Sequence, residues 1–374
     1  MPVTIRPVVT SSDTMRFIKS QWNFYNGDKN FVPPMIMDRK KLLNMEKNPF
    51  YKHSSMKLFL AEENGAVVGR IGAIINENHN TTYNDSIGFF GFFECADRQD
   101  VANALFDAAG AWLKERGMTH VRGPVNPSMN DECGLLVDGF DRPPVVLMTY
   151  NPAYYTRLIE QYGFTKEMDM YAYLLKQENY KSEKMVRLLD LVKQRSGVQI
   201  RSMNFKDKAQ FTRDVQTIKS IYNSAWEKNW GFVKFTDEEF DFLAADLKQI
   251  ADPDLVLFAE VEGKAVGFCL ALPDINQTLI HNKKGGLLGG IWHLLTKKKS
   301  INLCRIIVLG LLEEYRRSGM DIVLYAEVGA RALKKGMNGE ASWILESNDA
   351  MNKAATNTMH GERYKTYRIY QKPL

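Results

Sequence analysis

The feature that most constrains the fold of this 374-residue chain is an internal repeat. Three short stretches in the first half return in the same order in the second half. The pairs are FLAEENGAVVG (59–69) with FAEVEGKAVG (258–267), GAWLKERGM (110–118) with GARALKKGM (329–337), and NPAYY (151–155) with NDAMN (348–352). Ordered matches of this kind indicate two copies of one structural unit.

The spacing of the repeated stretches differs between the halves, so each half contains a segment that the other lacks. These insertions are residues 122–146 and residues 276–302. Insertions in repeated units usually form surface loops, where function tends to be located. The charged segment 180–197 has the pattern of a linker helix. We therefore predict two domains, residues 1–179 and 180–374.

Each half shows the same order of predicted elements. Two strands meet at a turn glycine, Gly65 or Gly263, which is typical of a β-hairpin. An apolar stretch follows, SIGFFGFFEC or NLCRIIVLGLL, and then a helix, a short strand, a helix and a last strand. Hairpin strands mixed with helices predict the α+β class, with a mixed, mostly antiparallel sheet flanked by helices in each domain.

Composition and charge narrow the functional classes. The chain is 45% hydrophobic and 25% charged, as in globular proteins that bury a core. Its net charge of +5 suits anionic ligands or membrane surfaces but is poor support for a nucleic-acid partner. The four cysteines are widely spaced, which predicts neither disulfides nor a zinc site. We therefore expect no metal. We also expect a cytoplasmic protein, since no signal-peptide pattern or apolar run of ~18 residues is present.

The segment EEYRRSGMD (313–321) lies between an apolar strand and a predicted helix. A helix start presents unpaired N–H groups and the positive end of its dipole, which together favour a phosphate group. Gly319 allows close approach to the backbone, and arginines add charge-assisted hydrogen bonds. A surface helix with a basic first turn is the simpler alternative. The predicted cofactor-binding residues are Leu309, Leu311, Arg316, Arg317, Ser318, Gly319, Met320 and Asp321.

This order of motifs resembles the GNAT superfamily of acyl-CoA-dependent N-acyltransferases, in two tandem copies that cover nearly the whole chain. In that family a strand leads into a Q/R-x-x-G-x-G/A loop, and here Arg316 and Gly319 fit while Asp321 departs from it. The helix stretch YNPAYYTRLIEQYGF (150–164) fits a second family motif. The whole-chain pattern also resembles a tandem bacterial subgroup associated with bacterial ceramide synthases.

The resemblance implies transfer of an acyl group from acetyl-CoA or a longer acyl-CoA to a small-molecule or lipid amine. The second domain would bind the donor, because Asp97 and Asp100 of the first domain stand where Arg316 and Gly319 stand in the second. Two acids there would repel a pyrophosphate. Two alternatives stay open: a non-catalytic CoA-binding or structural protein, and an aminoacyl-tRNA-dependent peptide transferase.

Transfer to an amine needs a base for the amine and an acid for the leaving thiolate. The helix tyrosine that many family members use as the acid is absent from the second domain, near Ala355 or Met359. The predicted catalytic residues are Glu340, Glu346 and Asn348, with Tyr364, Tyr367 and Tyr370 in topological reach. As an alternative, Glu346 is a helix-start acid and Asn348 an N-cap.

Four further residues are predicted to bind the acceptor substrate. Trp226 and Trp230 follow a helix that borders the acceptor pocket in the resembled family, although both are equally compatible with a core position. Asn126 and Asn130 belong to the first insertion, where they either contact a polar amine or simply form turns.

The second insertion contains NKKGGLLGGIWHLLTKKK (282–299), in which apolar residues lie between clusters of lysine. If exposed, such a segment suits an anionic bilayer surface or a long acyl chain. If packed on its own domain, it is an ordinary helical flap with solvated lysines. The first alternative predicts peripheral contact with the inner face of the membrane.

Overall fold

The computed structural model describes residues 2–181, 183–227, 229–316 and 318–374, and the side chains of 180–188 are outside this description. Contacts divide the chain into two compact units. Unit 1 comprises Met1–Met170, Asn276–Lys298 and Lys365–Leu374, and unit 2 comprises Tyr171–Ile275 and Lys299–Tyr364.

Strands and helices alternate along the chain. The strands are β1 (Thr4–Pro7), β2 (Ser54–Glu63), β3 (Ala66–Asn76), β4 (Ile87–Cys95), β5 (His120–Gly123), β6 (Val125–Asn126), β7 (Glu132–Cys133), β8 (Leu135–Asp138), β9 (Thr165–Leu175), β10 (Gln199–Ser202), β11 (Val256–Val261), β12 (Lys264–Pro273), β13 (Leu303–Leu311), β14 (Asn338–Leu345) and β15 (Glu362–Pro373). The α-helices are α1 (Ser11–Ser20), α2 (Ile36–Leu42), α3 (Glu77–Tyr83), α4 (Gln99–Lys114), α5 (Tyr154–Gln161), α6 (Glu183–Ser196), α7 (Lys208–Trp226), α8 (Asp237–Ile250), α9 (Asn276–Leu279), α10 (Leu287–Lys297), α11 (Met320–Lys334) and α12 (Asp349–Lys353).

The first repeated stretch forms the same bulged hairpin in both units. In β2–β3 the pair Ala61↔Gly69 is followed by Glu62↔Val67, and in β11–β12 the pair Ala259↔Gly267 is followed by Glu260↔Ala265. Each hairpin therefore skips one residue at the same position of the repeat. The turn residues share positive φ angles, at Asn64 and Gly65 in unit 1 and at Glu262 and Gly263 in unit 2.

The second repeated stretch ends a helix in the same way in both units. Gly117 follows α4 with φ 81°, and Gly336 follows α11 with φ 71°. The next N–H returns to the helix in each case, from Met118 to the Leu113 carbonyl at 3.2 Å and from Met337 to the Ala332 carbonyl at 2.9 Å. The predicted duplication is confirmed at the level of individual hydrogen bonds.

The sheet of each unit is mixed and mostly antiparallel. In unit 1 the strand order is β1-β2-β3-β4-β5, and in unit 2 it is β10-β11-β12-β13-β14. The parallel neighbours are β4–β5 and β13–β14, and the other pairs in these two series are antiparallel. Helices α4 and α11 pack on their sheets through fully buried aliphatic residues such as Leu105 and Leu324. The predicted α+β class with tandem domains is confirmed.

The compact units differ from the predicted contiguous domains 1–179 and 180–374. The divisions fall within β9 and β15, and residues 276–298 and 365–374 belong to unit 1. The C-terminal segment joins unit 1 because β15 pairs with β5 from Tyr370↔Gly123 onward and with β8 at Tyr367↔Leu136. Such long-range pairing leaves no mark in a local sequence pattern.

Across the described residues, none of the helices is both long and apolar enough to cross a membrane.

Candidate functional site

Two neighbouring parallel strands of unit 2 stop pairing before either strand ends. Within the described residues, β13 and β14 pair only from Leu303↔Asn338 to Ile306↔Ala341, although both strands continue beyond that point. In unit 1, β4 and β5 pair from Ile87↔His120 to Phe89↔Arg122, and the chain after β5 stays against β4, since the Phe92 N–H donates to the Asn126 side chain at 2.6 Å. Openings at the carboxyl ends of parallel strands are common ligand sites. In unit 2, β13 ends at Leu311, and α11 begins at Met320 after a short connecting segment.

The loop before α11 has part of the geometry expected of a phosphate site. Gly319 is the N-cap residue of α11 and lies in the left-handed region with φ 85°, which favours glycine. The Ser318 hydroxyl donates to the Tyr315 carbonyl at 2.6 Å and accepts from the Met320 N–H at 3.3 Å. The Ser318 hydroxyl thus links the residues on both of its sides.

Other predicted cofactor-binding residues of this loop have partners within unit 2. Arg316 donates to the Ser224 and Ala225 carbonyls at 3.4 and 3.1 Å, near the C-terminal end of α7. A Cβ atom on Gly319 would lie 2.9 Å from a methyl group of Val192 on α6. Val192 therefore already lies against the glycine. Arg317 lies outside the described residues.

The apolar members of the predicted set face the core. Leu311 and Met320 are buried in the cluster between the unit 2 sheet and α11, and Leu309 packs against the same cluster. Burial raises the pKa of the Tyr325 hydroxyl, and the Cys269 thiol and the Asp321 carboxylate add to the effect. Asp321 lies in the first turn of α11, where a negative charge stabilises the helix. Donor binding at this loop stays a prediction.

The corresponding loop of unit 1 is occupied by ion pairs. Arg98 bonds to Asp100 at 2.6 Å and to Glu63 at 2.8 Å, and Asp97 pairs with Arg157. The acids that distinguish this loop are thus held by arginines of the same unit.

Glu340 lies at the centre of a buried polar cluster in unit 2, beside the point where β13 and β14 separate. Its side chain is 1% exposed, and it accepts hydrogen bonds from the Ser342 hydroxyl at 2.5 Å and from the Tyr364 hydroxyl. Arg305, opposite Glu340 in the strand register, donates to the Ser342 hydroxyl at 2.9 Å and to its carbonyl at 3.2 Å. A carboxyl in contact with a phenol can exchange protons with it.

The other predicted catalytic residues have contacts of their own, and their part in catalysis stays a prediction. The Asn348 side chain accepts from the Met351 N–H at 3.1 Å and so caps α12, as the alternative interpretation expects. Glu346 is half-buried at the end of β14, and its carbonyl accepts from the Asn352 amide at 3.3 Å. Tyr370 donates to Glu160 at 2.9 Å within unit 1. Glu340 and Tyr364 are the predicted acid–base residues that directly contact each other.

The predicted acceptor-binding residues Trp226, Asn126 and Asn130 contact other residues of their own unit. Trp226 stacks on Tyr222 at 5.6 Å and packs against the α7 core cluster, and Trp230 is half-buried. The Asn126 side chain accepts from the N–H of Phe92 at 2.6 Å, where β4 has a positive φ. The Asn130 N–H donates to Ser128 at 3.1 Å in a turn. Acceptor binding by these residues stays a prediction.

A second buried carboxyl cluster, in unit 1, was missed by the sequence analysis. Glu94 on β4 lies opposite Arg70 on β3, and both are 5% exposed. Arg70 donates to Glu94 at 3.4 Å, and the Tyr155 hydroxyl donates to it at 2.8 Å. Burial raises the pKa of Glu94, although Arg70 and Tyr155 oppose the rise. The missed signal was a single charge inside each of two apolar strands, VVGRIGAII and IGFFGFFEC.

Comparison with known proteins decides the family. No protein-family model matches the chain. The chain is 37% identical to a bacterial ceramide synthase of Caulobacter vibrioides, over 100% of this chain and 98% of that protein. It is 34% identical to protein YghO of Escherichia coli, over 99% of this chain and 95% of that protein. The chain belongs to the same family as these two proteins.

Comparison with solved structures shows that the chain has a tandem GNAT fold. A tandem GNAT protein from the clavulanic acid biosynthesis pathway matches with a TM-score of 0.59 and 10% identity, over 99% of this chain and 98% of that one. A GCN5-related N-acetyltransferase from Sphaerobacter thermophilus matches with a TM-score of 0.53 and 12% identity, over 99% and 95%. The resemblance stated from the loop and helix motifs is confirmed.

Among the described residues, no group of three or more His, Cys, Asp or Glu side chains is placed to hold a metal ion.

Proposed function

We propose that the protein is an acyl-CoA-dependent N-acyltransferase and that its acceptor is a lipid amine. The observation that carries the proposal is the 37% identity over the whole chain to a protein described as a ceramide synthase. A ceramide is the amide of a fatty acid and a long-chain amino alcohol. The tandem GNAT fold supports the reaction class, because the solved neighbours include an N-acetyltransferase.

The proposed reaction forms one C–N bond and breaks one C–S bond. The neutral amine attacks the thioester carbonyl carbon, the thiolate of CoA leaves, and the amine nitrogen loses one proton. Glu340 is proposed to take that proton, and the Tyr364 hydroxyl is proposed to protonate the leaving thiolate. Their hydrogen bond then returns the proton from Glu340 to Tyr364.

The surroundings of Glu340 support its role as a base. A buried carboxylate is costly unless a positive charge and hydrogen bonds compensate it. Arg305 lies opposite Glu340 in the register and is linked to it through the Ser342 hydroxyl, and this arrangement supports Glu340 as the base. The donor is proposed to enter where β13 and β14 separate, with its phosphates at the start of α11. This placement requires α6 to shift, because Val192 lies against Gly319.

The test is an assay of the purified full chain with acetyl-CoA or palmitoyl-CoA, below micelle-forming concentrations. The acceptors are a long-chain amino alcohol and a short soluble amine. Thiol release is followed with a thiol reagent, and the amide is identified by mass spectrometry. We expect amide formation that is fastest with the long donor and the long acceptor, because each buried methylene adds ~0.8 kcal/mol.

Two isosteric variants locate the chemistry. Glu340→Gln and Glu94→Gln each neutralise a buried carboxyl that contacts an arginine or a tyrosine, one in each unit. We expect Glu340→Gln to lower kcat about 10²–10⁴-fold and Glu94→Gln to retain most of it, with folding of both checked by thermal unfolding. The opposite pattern would move the active site to unit 1. Binding of palmitoyl-CoA without product would support a non-catalytic protein, and product only with aminoacyl-tRNA would support the peptide transferase.

A further inference from the structure

Helix α10 is attached to the rest of unit 1 through the residues that precede it and through Gly290. The Gly285 carbonyl accepts from the Ile36 N–H at 2.9 Å, and the Lys283 carbonyl accepts from the Trp22 indole at 2.8 Å. A Cβ atom on Gly290 would lie 2.5 Å from the Met35 sulfur, so this glycine allows the helix to approach closely. These contacts hold the helix against its own unit.

The opposite face of α10 is apolar and exposed to solvent. Its side chains lie at helical spacing along one side, as in an amphipathic helix. They are Leu287 at 43% exposure, Leu288 at 83%, Ile291 at 44%, Trp292 at 65% and Leu295 at 77%. We name these five residues the α10 face. Apolar side chains grouped on one exposed helix face mark an interaction surface more often than scattered ones do.

Positive charge surrounds the α10 face. Residues 275–312 contain no aspartate or glutamate. The lysines of this segment stand in two clusters, one before the helix and one that begins at its last residue: Lys283, Lys284, Lys297, Lys298 and Lys299. Of these, Lys283, Lys284, Lys298 and Lys299 are exposed. The whole chain carries a net charge of only +5, so this segment is a local concentration of positive charge.

We propose that the α10 face docks on the surface of an anionic lipid bilayer. The helix would lie in the plane of the interface, with its apolar side chains among the upper acyl chains and its lysines at the headgroups. Lysine near such a surface gains free energy from anionic lipids, and tryptophan favours the interface. Docking does not depend on the proposed catalysis, so either proposal can fail without the other.

The charges and the size of the face argue against a second copy of the chain as its occupant. Two α10 faces brought together would place their lysine clusters in close proximity, which is unfavourable. A helix of 11 residues is about 16 Å long, and one such face offers much less than the roughly 800 Å² per partner of a stable interface.

The first test measures sedimentation of the full chain with vesicles of phosphatidylcholine alone or mixed with phosphatidylglycerol. We expect binding to the mixed vesicles that weakens as salt rises, because exposed charges are screened. Leu288→Gln/Trp292→Gln should lower the partition coefficient about tenfold or more, because it removes the two large apolar side chains from the interface. The matched control is Val9→Gln/Leu191→Gln, which changes two exposed apolar residues elsewhere, at 75% and 51% exposure.

A second pair of variants tests the charges. Lys284→Gln/Lys298→Gln should lower binding to the mixed vesicles about tenfold or more, while Lys114→Gln/Lys208→Gln, also exposed, should change it less than threefold. Trp292 should also show a blue-shifted emission on vesicles, measured as the difference from Trp292→Gln. Thermal unfolding checks that each variant is folded.

Three results would overturn the proposal. One is failure of the folded chain to bind mixed vesicles at low salt. Another is equal loss of binding in the face variant and its control. The third is a dimer that Leu288→Gln/Trp292→Gln converts to a monomer while vesicle binding stays unchanged, which would assign the face to a second copy.

Discussion

Arg305 and Glu340 lie opposite each other in the parallel pair β13–β14, one position before the last pair that joins these strands in the described part of the chain. Their register places a buried carboxyl beside an arginine near the point where the pairing of the two strands ends. Ser342 links them, since its hydroxyl accepts from Arg305 and donates to Glu340. Tyr364 completes the cluster from β15.

Removal of the Tyr364 hydroxyl should impair catalysis while the protein stays folded. We expect Tyr364→Phe to lower kcat about 10²-fold or more and to change KM little, because the hydroxyl is proposed to act on the leaving thiolate. The control is Tyr173→Phe, which removes a hydrogen bond of 2.9 Å to Asn352 in the same unit. Steady-state kinetics of both variants are compared. Equal kcat values for the two would remove Tyr364 from the mechanism.

A side chain at Gly319 should destabilise the protein for two reasons. The φ of 85° is strained for alanine, and its Cβ would lie 2.9 Å from Val192. Gly336→Ala has a similar positive φ of 71° but nothing within 4 Å of its Cβ, so it isolates the backbone cost. We expect Gly319→Ala to lose about 1–3 kcal/mol of unfolding free energy, more than the control. Urea unfolding should also show partial rescue by Val192→Ala, and absence of rescue would contradict the observed contact.

Attachment of α10 can be tested at Gly290. Alanine there would place a Cβ 2.5 Å from the Met35 sulfur, whereas a Cβ at Gly286 meets nothing within 4 Å. We expect Gly290→Ala to increase hydrogen exchange of residues 283–297 and Gly286→Ala to leave it nearly unchanged. Met35→Ala should restore protection in the Gly290→Ala background, because it removes the obstructing side chain. Faster exchange in both glycine variants would show that the contact with Met35 is not what holds the helix.

The buried ring of His79 should make the protein sensitive to acid. Burial, with a smaller contribution from Arg122, lowers the pKa of His79 to about 4 from 6.5. The unfolded chain therefore binds a proton that the folded chain does not, and stability is lost as pH falls from about 6.5 toward 4. The loss amounts to up to about 3 kcal/mol. Urea unfolding of wild type and His79→Gln across this range should show a weaker pH dependence in the variant, and parallel curves would refute the assignment.

The sequence predicted the parts of the fold that depend on local pattern. The repeated A-E-x-x-G-x-x-V-G stretch contains the turn glycine of each hairpin, so Gly65 and Gly263 were enough to predict the two hairpins. The bulge that the two hairpins share was seen only in the structure. The assignment of 365–374 to unit 1 was not predictable in this way, because β15 pairs with β5 across most of the chain length.

The candidate site was predicted only in part, for a related reason. Glu340 was predicted from its place on a predicted strand. Nothing local in the sequence indicated its contact with Tyr364 or its register with Arg305. Arg316 matches a sequence motif, yet its guanidinium donates to carbonyls of α7, far away along the chain. Glu94 was not predicted, because it lies inside strand β4 and outside the loop motif that distinguishes the two domains.

The place of β15 in unit 1 has a consequence for synthesis on the ribosome. Strands β1 to β5 emerge first, but the strand that pairs with β5 emerges only after all of unit 2 has been made. Until then β5 has an open edge, which is prone to pairing with other chains. Nascent chains interrupted within unit 2 would expose that edge permanently, so we expect them to depend on chaperones or to be degraded.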